Sequence, residues 1–303
     1  MKLLVFDVGG TQIKYGLVEN GTKITEKGTV DTPETSYDDF LKLVKDVYRR
    51  YENEVSGIAM SLPGSVDVEN GICGNNAGMK YPHDPHIAET LKQICDCNVV
   101  LENDGKAAAI AEYSYGNIKG CQNAAAFLIG TGVGGGLIIN NKIVRGPHNM
   151  AGEFSFVNTD SQNYNDVSQI MGHQCSTTYL LNRYNELSNN EEKIDGMEFF
   201  RRLPSDQNAQ KALDDLSFNI AYQLHNLYWL LDLEKVAIGG GISRQAIVIE
   251  KIKEKFAEIK EQSFTGQIGM PARLEVVPCL FSNDANLIGA YQTFLDQTKT
   301  DRN

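Results

Sequence analysis

Three times in this chain an apolar run that reads as a β-strand breaks into glycine: KLLVFDV into Gly9-Gly10-Thr11, AAAFLI into GTGVGGG (Gly130 to Gly136), and KVAI into Gly239-Gly240-Gly241. A glycine bend at the C-terminal end of a strand constrains a fold strongly. It reverses the chain without a Cβ and leaves backbone N–H groups able to face an anion. After the first two bends the chain resumes as a strand, QIKYGLV and LIIN, so one strand, bend and strand unit opens the chain and recurs about 120 residues later. This recurrence suggests a duplicated architecture. None of the bends fits GxxxxGK[ST], and the first lacks GxGxxG between strand and helix, so neither a P-loop nor a Rossmann site is supported.

Between and after these units the chain alternates strands with helices. From Asp38 to Tyr51 the residues Phe40, Leu41, Val44, Val47, Tyr48 and Tyr51 recur at helical spacing, with Thr35 and Ser36 available as caps. Residues 55 to 60 and 98 to 101 read as strands, the second leading into a helix that starts near Asp104. Leu213, Leu216, Ile220, Leu224, Leu227 and Leu231 make 207 to 231 one long helix. A charged helix, the strand LEVVP (274 to 278) and a last helix from about Asp284 complete the chain. The order predicts a mixed sheet with helices on both faces. At 303 residues two domains are expected, with turn formers at 115 to 123 marking the boundary.

Lys plus Arg total 28 against 39 Asp plus Glu, a net charge of −11, which gives the surface no electrostatic reason to bind nucleic acid or an anionic membrane. The opening apolar run is interrupted by Asp7 and is too short for a signal peptide or a spanning helix, so a cytoplasmic protein is expected. In that compartment the six cysteines read as reduced core residues. Cys95 and Cys97 lack a second Cys or His pair to complete a tetrahedral site, and His173 with Cys175 reads as packing rather than a ligand set. His83, His86 and His148 lie in proline-containing stretches and read as surface residues.

Five positions invite a chemical reading. Asp7 ends a buried-looking strand, where its carboxylate needs a cationic partner such as a hydrated Mg²⁺. Lys14, in the returning strand, suits either a solvated edge lysine or a phosphate contact. Asn103 and Asp104 stand at the mouth of a strand, where open α/β sheets keep their ligands, although Asp104 equally suits a helix N-cap. Glu153, in RGPHNMAGEFSF, is one carboxylate among small residues, a composition that fits a sugar-contacting loop or an ordinary one.

Taken in order, DVGGT, SLPGSVD, LENDGKAAAIAE, LIGTGVGGGLI, RG followed by AGEF, VAIGGGIS and NDANLIGA resemble the ROK family of repressors and sugar kinases, most closely its β-glucoside kinase branch. The resemblance implies a two-domain actin/hexokinase-like (ribonuclease H-like) α/β fold with the active site in the interdomain cleft. The expected domains are 1–118 and 119–283, with a last helix at about 284–300 packing back on the first. The implied activity is ATP- and Mg²⁺-dependent phosphorylation of a sugar hydroxyl, the 6-OH of glucose or a β-glucoside. Glucokinase, fructokinase and N-acetylmannosamine kinase are alternatives within the family, and a sugar-sensing regulator is an alternative outside catalysis. The resemblance makes Asp104 the base and places Asn103, Glu153, Gly64 and Asn76 on the sugar. It places Asp7, Gly9, Gly10, Thr11, Lys14, Thr131, Gly132, Gly239, Gly240 and Gly241 on the nucleotide, with Asp7 also on the metal side through water. A homodimer is compatible with it.

The chain departs from the family pattern in three places. AGEFSF stands where many relatives read AGE-x-GH, so Ser155 and Phe156 replace a glycine and a sugar-contacting histidine. The H…CxCGxxGC zinc module is absent, since residues 154 to 182 hold one His and one Cys, and no zinc is expected. Asp104-Gly105-Lys106 replaces D-A-N, a change expected at the edge of the pocket. The regulator reading is weakened because the chain begins directly in KLLVFDV, with no DNA-binding helix pair before it.

Overall fold

The structure, a computed structural model, describes residues 1–74, 79–189 and 194–300. The chain divides into two compact units, Met1–Gly116 with Arg145–Ala151 and Asn283–Asn303, and Asn117–Val144 with Gly152–Ser282.

In the first unit, β1 (Lys2–Val8) and β2 (Gln12–Glu19) form an antiparallel pair, and β3 (Lys23–Asp31) adds to β2 as the sheet edge. Helix α1 (Tyr37–Tyr48) follows, capped by Ser36, whose hydroxyl accepts from the Asp39 N–H. Then come β4 (Gly57–Leu62), a short ladder of β5 (Val66–Asp67) and β6 (Ile72–Cys73), α2 (Ile87–Cys95), β7 (Asn98–Asn103) and α3 (Asp104–Tyr115). The sheet order is β3-β2-β1-β4-β7, with β1, β4 and β7 parallel. Leu3, Leu4, Val5 and Phe6 are fully buried, which explains why β1 reads as an unbroken apolar run rather than an alternating one. The C-terminal helix, Ala285–Thr300, packs across β1, β4 and β7 and against α3.

The second unit repeats the plan. Strands β8 (Ala124–Ile129), β9 (Val133–Ile139) and β10 (Lys142–Val144) form an antiparallel meander. Strands β11 (Lys235–Gly240) and β12 (Glu275–Pro278) add in parallel to the other side of β8, giving β10-β9-β8-β11-β12. Position for position this is the order and the parallel or antiparallel sense of the first sheet. The helices are α4 (Met171–Gln174), α5 (Thr177–Ser188), α6 (Gly196–Arg202), α7 (Gln207–Leu231), α8 (Ala246–Gln262) and α9 (Phe264–Gln267). Helix α7 takes the bounds its leucine spacing predicts, with Asp206 capping the Asn208 and Ala209 N–H groups and Asp232 left-handed at its end.

Two expectations need correction. The edge strand β3 has no counterpart in the periodicity, because its residues are mostly exposed or half-buried and carry no apolar alternation. The run Gly130 to Gly136 is not one bend: the reversal occupies Gly130-Thr131-Gly132, where the Gly130 N–H donates to the Gly132 carbonyl, and Gly134 to Gly136 lie inside β9. There Gly135 has φ +159°, and a Cβ would stand 2.3 Å from the Ala126 carbonyl oxygen and 2.6 Å from the Phe154 ring. The glycine lets the neighbouring strand and ring close up.

Candidate active site

The parallel strands β1, β4 and β7 end on one edge of the first sheet, and Asp7, Gly64, Asn103 and Asp104 lie at their ends. Asn103 is the last residue of β7 and Asp104 the first of α3. The N-cap is Asn103, whose Oδ1 accepts from the Lys106 N–H at 2.9 Å, so the capping alternative for Asp104 is set aside. Asn103 is nearly fully buried and also donates from Nδ2 to the Gly64 carbonyl at 3.0 Å and to Asp104 Oδ1 at 3.2 Å. The same Oδ1 accepts from the Gly105 N–H at 2.8 Å. Gly64 adopts φ +102°, which only glycine takes without strain, and this turns its carbonyl to the asparagine. The turn SLPG and the Asn-Asp pair thus form one hydrogen-bonded unit. Asn76 lies outside the described residues.

Asp7 and Lys14 are direct partners across β1 and β2, and Lys14 Nζ lies 3.8 Å from Asp7 Oδ2. Because β3 covers the far side of β2, Lys14 is not on an edge strand, although its side chain is 43% exposed. Burial pushes the Asp7 carboxyl above its ordinary range, while Asn286, Lys14 and Ser61 act in the opposite direction. Asn286, in the first turn of the C-terminal helix, donates from Nδ2 to Asp7 Oδ1 at 2.9 Å. Sequence reasoning passed over this residue; the signal was its place in NDANLIGA, but the two positions are 279 residues apart.

The glycine bends differ from one another. The Gly9 N–H closes its own turn on the Gln12 carbonyl at 3.0 Å, while Gly10 and Thr11 are exposed. Thr131 is exposed and Gly132 half-buried in the second bend, whose threonine carbonyl accepts from the Thr178 hydroxyl. In the third, Gly240 and Gly241 are exposed, but Gly239 is buried, and a Cβ there would lie 2.6 Å from Leu128 Cδ2 and 2.9 Å from Cys279 Sγ. Gly239 therefore serves strand packing.

Glu153 is half-buried and directly precedes the 3₁₀ turn Phe154–Phe156. Phe154 turns into the core and stacks on Phe127, whereas Phe156 is 68% exposed. Ser155 closes the turn on β9: its hydroxyl accepts from the Val133 N–H and donates to the Val133 carbonyl. Lys106, expected at the pocket edge, is buried in the first turn of α3.

Among the described residues no group of three or more His, Cys, Asp or Glu side chains could hold a metal ion. Cys175 is buried, and burial pushes its thiol upward, away from the thiolate that zinc requires. Purified protein is expected to carry well under one zinc per chain and to keep its activity in a zinc chelator; elemental analysis showing about one zinc per chain would overturn this. No helix among the described residues is long and apolar enough to cross a membrane.

The ROK family model matches residues 4–297, and the chain belongs to that family. It is 28% identical over 300 residues to the β-glucoside kinase of Listeria monocytogenes, covering 98% of each chain. A ROK family protein from Streptococcus pneumoniae, solved in complex with sucrose, is 29% identical, with a TM-score of 0.86 over 99% of this chain and 100% of its own. A ROK family glucokinase from Streptomyces griseus, 23% identical, shares the fold with a TM-score of 0.81 over 96% of this chain and 98% of its own. The two repeated sheets and these neighbours establish the two-domain, actin/hexokinase-like α/β fold of the ROK sugar kinases.

Proposed function

We propose that this chain is an ATP- and Mg²⁺-dependent sugar kinase in which Asp104 is the general base, and that its acceptor is the 6-hydroxyl of a β-glucoside. The observation that carries the reading is the division of labour at the end of β7. Asn103 makes the N-cap bond of α3 to the Lys106 N–H, and the neighbouring Asp104 carboxylate is directed by two donors, Asn103 Nδ2 and the Gly105 N–H.

A carboxylate so placed takes the proton of a sugar hydroxyl as that oxygen attacks the γ-phosphorus, and the γ-phosphoryl leaves ADP for the sugar. Asn103, Gly64 and Glu153 are assigned to the sugar. Because Asn103 Oδ1 caps the helix and Nδ2 serves Gly64 and Asp104, its part is to hold the base as well as to border the substrate. Gly10, Thr11, Lys14, Thr131, Gly132, Gly240 and Gly241 are assigned to the nucleotide, with Gly9 and Gly239 shaping their bends. Magnesium supplies charge neutralisation at the phosphates, and Asp7, a buried hard-oxygen donor, fits contact with a hydrated ion.

The acceptor assignment rests on Phe156. Phe154 fills the core, which leaves Phe156 outside it three residues beyond Glu153, an aromatic face of the kind on which sugar C–H faces stack. That face suits an aglycone or a second ring better than a small, fully hydroxylated sugar, and the β-glucoside kinase of Listeria monocytogenes supports the choice. The test compares kcat/KM for cellobiose, an aryl β-glucoside, glucose and N-acetylmannosamine, a ratio that reports differential transition-state binding. A β-glucoside is expected to exceed the other two by about tenfold or more, about 1.4 kcal/mol. A tenfold preference for glucose or N-acetylmannosamine sinks the acceptor assignment and spares the kinase; no turnover of any sugar sinks both.

A further inference from the structure

Immediately before the Asn-Asp pair stands a carboxylate that the chemistry above does not use. Glu102 is fully buried. Its Oε1 accepts from the Asn103 N–H at 3.0 Å, and its Oε2 is held by the Arg145 guanidinium and by the Thr293 hydroxyl at 3.1 Å. A charge in such a place is costly unless it is paired and hydrogen-bonded, and a well-packed apolar residue would commonly be as stable. What the carboxylate adds is direction, because one of its oxygens fixes the peptide that carries Asn103 while the other is fixed from two sides.

The register of the sheet gives that direction a frame. Lys14, Asp7, Ser61 and Glu102 are successive partners across β2, β1, β4 and β7, so they form one polar row on one face. The C-terminal helix lies over that face. Its Asn286 holds Asp7 and its Thr293 holds Glu102. These two residues are two helical turns apart, about 10.5 Å along the axis, and β1 and β7 are two strand spacings apart, about 9.6 Å. The helix therefore spans the row from Asp7 to Glu102 with one polar side chain at each end of that stretch. Arg145 joins at the Glu102 end, at the base of the loop Arg145–Ala151, which closes where the Ala151 N–H donates to the Arg145 carbonyl at 3.0 Å.

We propose that Glu102, fixed by Thr293 and Arg145, is a positioning residue for Asp104: it orients the Asn103 peptide, and Asn103 in turn orients the Asp104 carboxylate. The proposal rests on Asp104 being the base. Reaction geometry is steep enough that a misplacement of about 1 Å costs about 10² in rate, so a change that leaves the fold intact is visible in turnover.

The test measures kcat, KM for ATP and thermal unfolding of the full chain with ATP and whichever sugar the wild type phosphorylates best. Glu102→Gln keeps the shape and an acceptor but removes the charge that Arg145 pairs. It is expected to lower kcat about 10- to 100-fold with KM for ATP within about twofold. Thr293→Val replaces the hydroxyl by a methyl at nearly constant volume and is expected to lower kcat about three- to tenfold in the same pattern; it decides the matter should Glu102→Gln not fold. Each substitution is then placed in an Asp104→Asn background. A residue that acts only through Asp104 has nothing left to position there, so single-turnover rates are expected to stay within about twofold of Asp104→Asn alone, whereas a general loosening of the fold would slow the reaction further. Near-wild-type kcat in both single variants, or a further tenfold loss on top of Asp104→Asn, overturns the proposal. A wild-type chain that phosphorylates no sugar instead overturns the functional reading, and this is seen before any variant is made.

Discussion

Asp104→Asn is expected to lower kcat by about 10² to 10⁴, or 2.7 to 5.5 kcal/mol of barrier, while sugar affinity stays within about twofold. The substitution keeps the side-chain shape. Its oxygen still accepts from the Gly105 N–H, and the α3 cap, which belongs to Asn103, is untouched. What disappears is the carboxylate that takes the hydroxyl proton, so the loss falls on the chemical step rather than on binding. Isothermal titration with sugar and single-turnover kinetics with ATP separate the two. Near-wild-type kcat removes Asp104 from the base role. A parallel collapse of sugar affinity would instead make it a substrate contact.

The two sheets share a strand order, yet at the row of Asp7 only the first carries charges. In the first unit the row at the strand ends is Lys14, Asp7 and Ser61; at the matching row of the second it is Gly134, Leu128 and Gly239. One copy of the plan presents a carboxylate and its partners there, and the other presents a leucine between two glycines. The duplication thus supplies a scaffold twice, and the charged row stands on one copy alone.

Much of this plan was legible in the chain. The β1 and β2 pair, the bounds of α7 and the C-terminal helix followed from apolar runs and helical spacing, because in each case burial imposes the pattern it is read from. Strand β4 was read two residues early, since all of GIAMSL is buried and a strand covered on both faces shows no alternation to mark its ends. Strand β3 left no trace for the opposite reason, being mostly exposed. At the site, Asn103 and Asp104 could be found as a pair, but which of them caps the helix depends on backbone geometry, not residue type. The contacts of Asn286, Thr293 and Arg145 could not be found, because their partners lie 279, 191 and 43 residues away and no local rule joins them.

That long-range closure yields the largest expected effect on stability. Gly289→Ala, in the C-terminal helix between Asn286 and Thr293, is expected to destabilise the chain by about 3 kcal/mol. In an exposed helix the same change would gain about 1 kcal/mol in propensity, so the sign turns on packing. A Cβ at Gly289 would stand 1.8 Å from the Ala107 carbonyl oxygen and 2.4 Å from its carbon, and both belong to the backbone of α3. No rotamer relieves such a contact, so one helix must shift, and Ala107, fully buried, lies three residues after Asp104. Gly196→Ala is the control: a Cβ there meets nothing within 4 Å, and its effect is expected to stay within about 0.5 kcal/mol. Urea unfolding decides between them, through a lowered midpoint at unchanged slope for Gly289→Ala. If that variant unfolds at the wild-type midpoint, the two helices do not approach this closely, and the span from Asp7 to Glu102 loses its support.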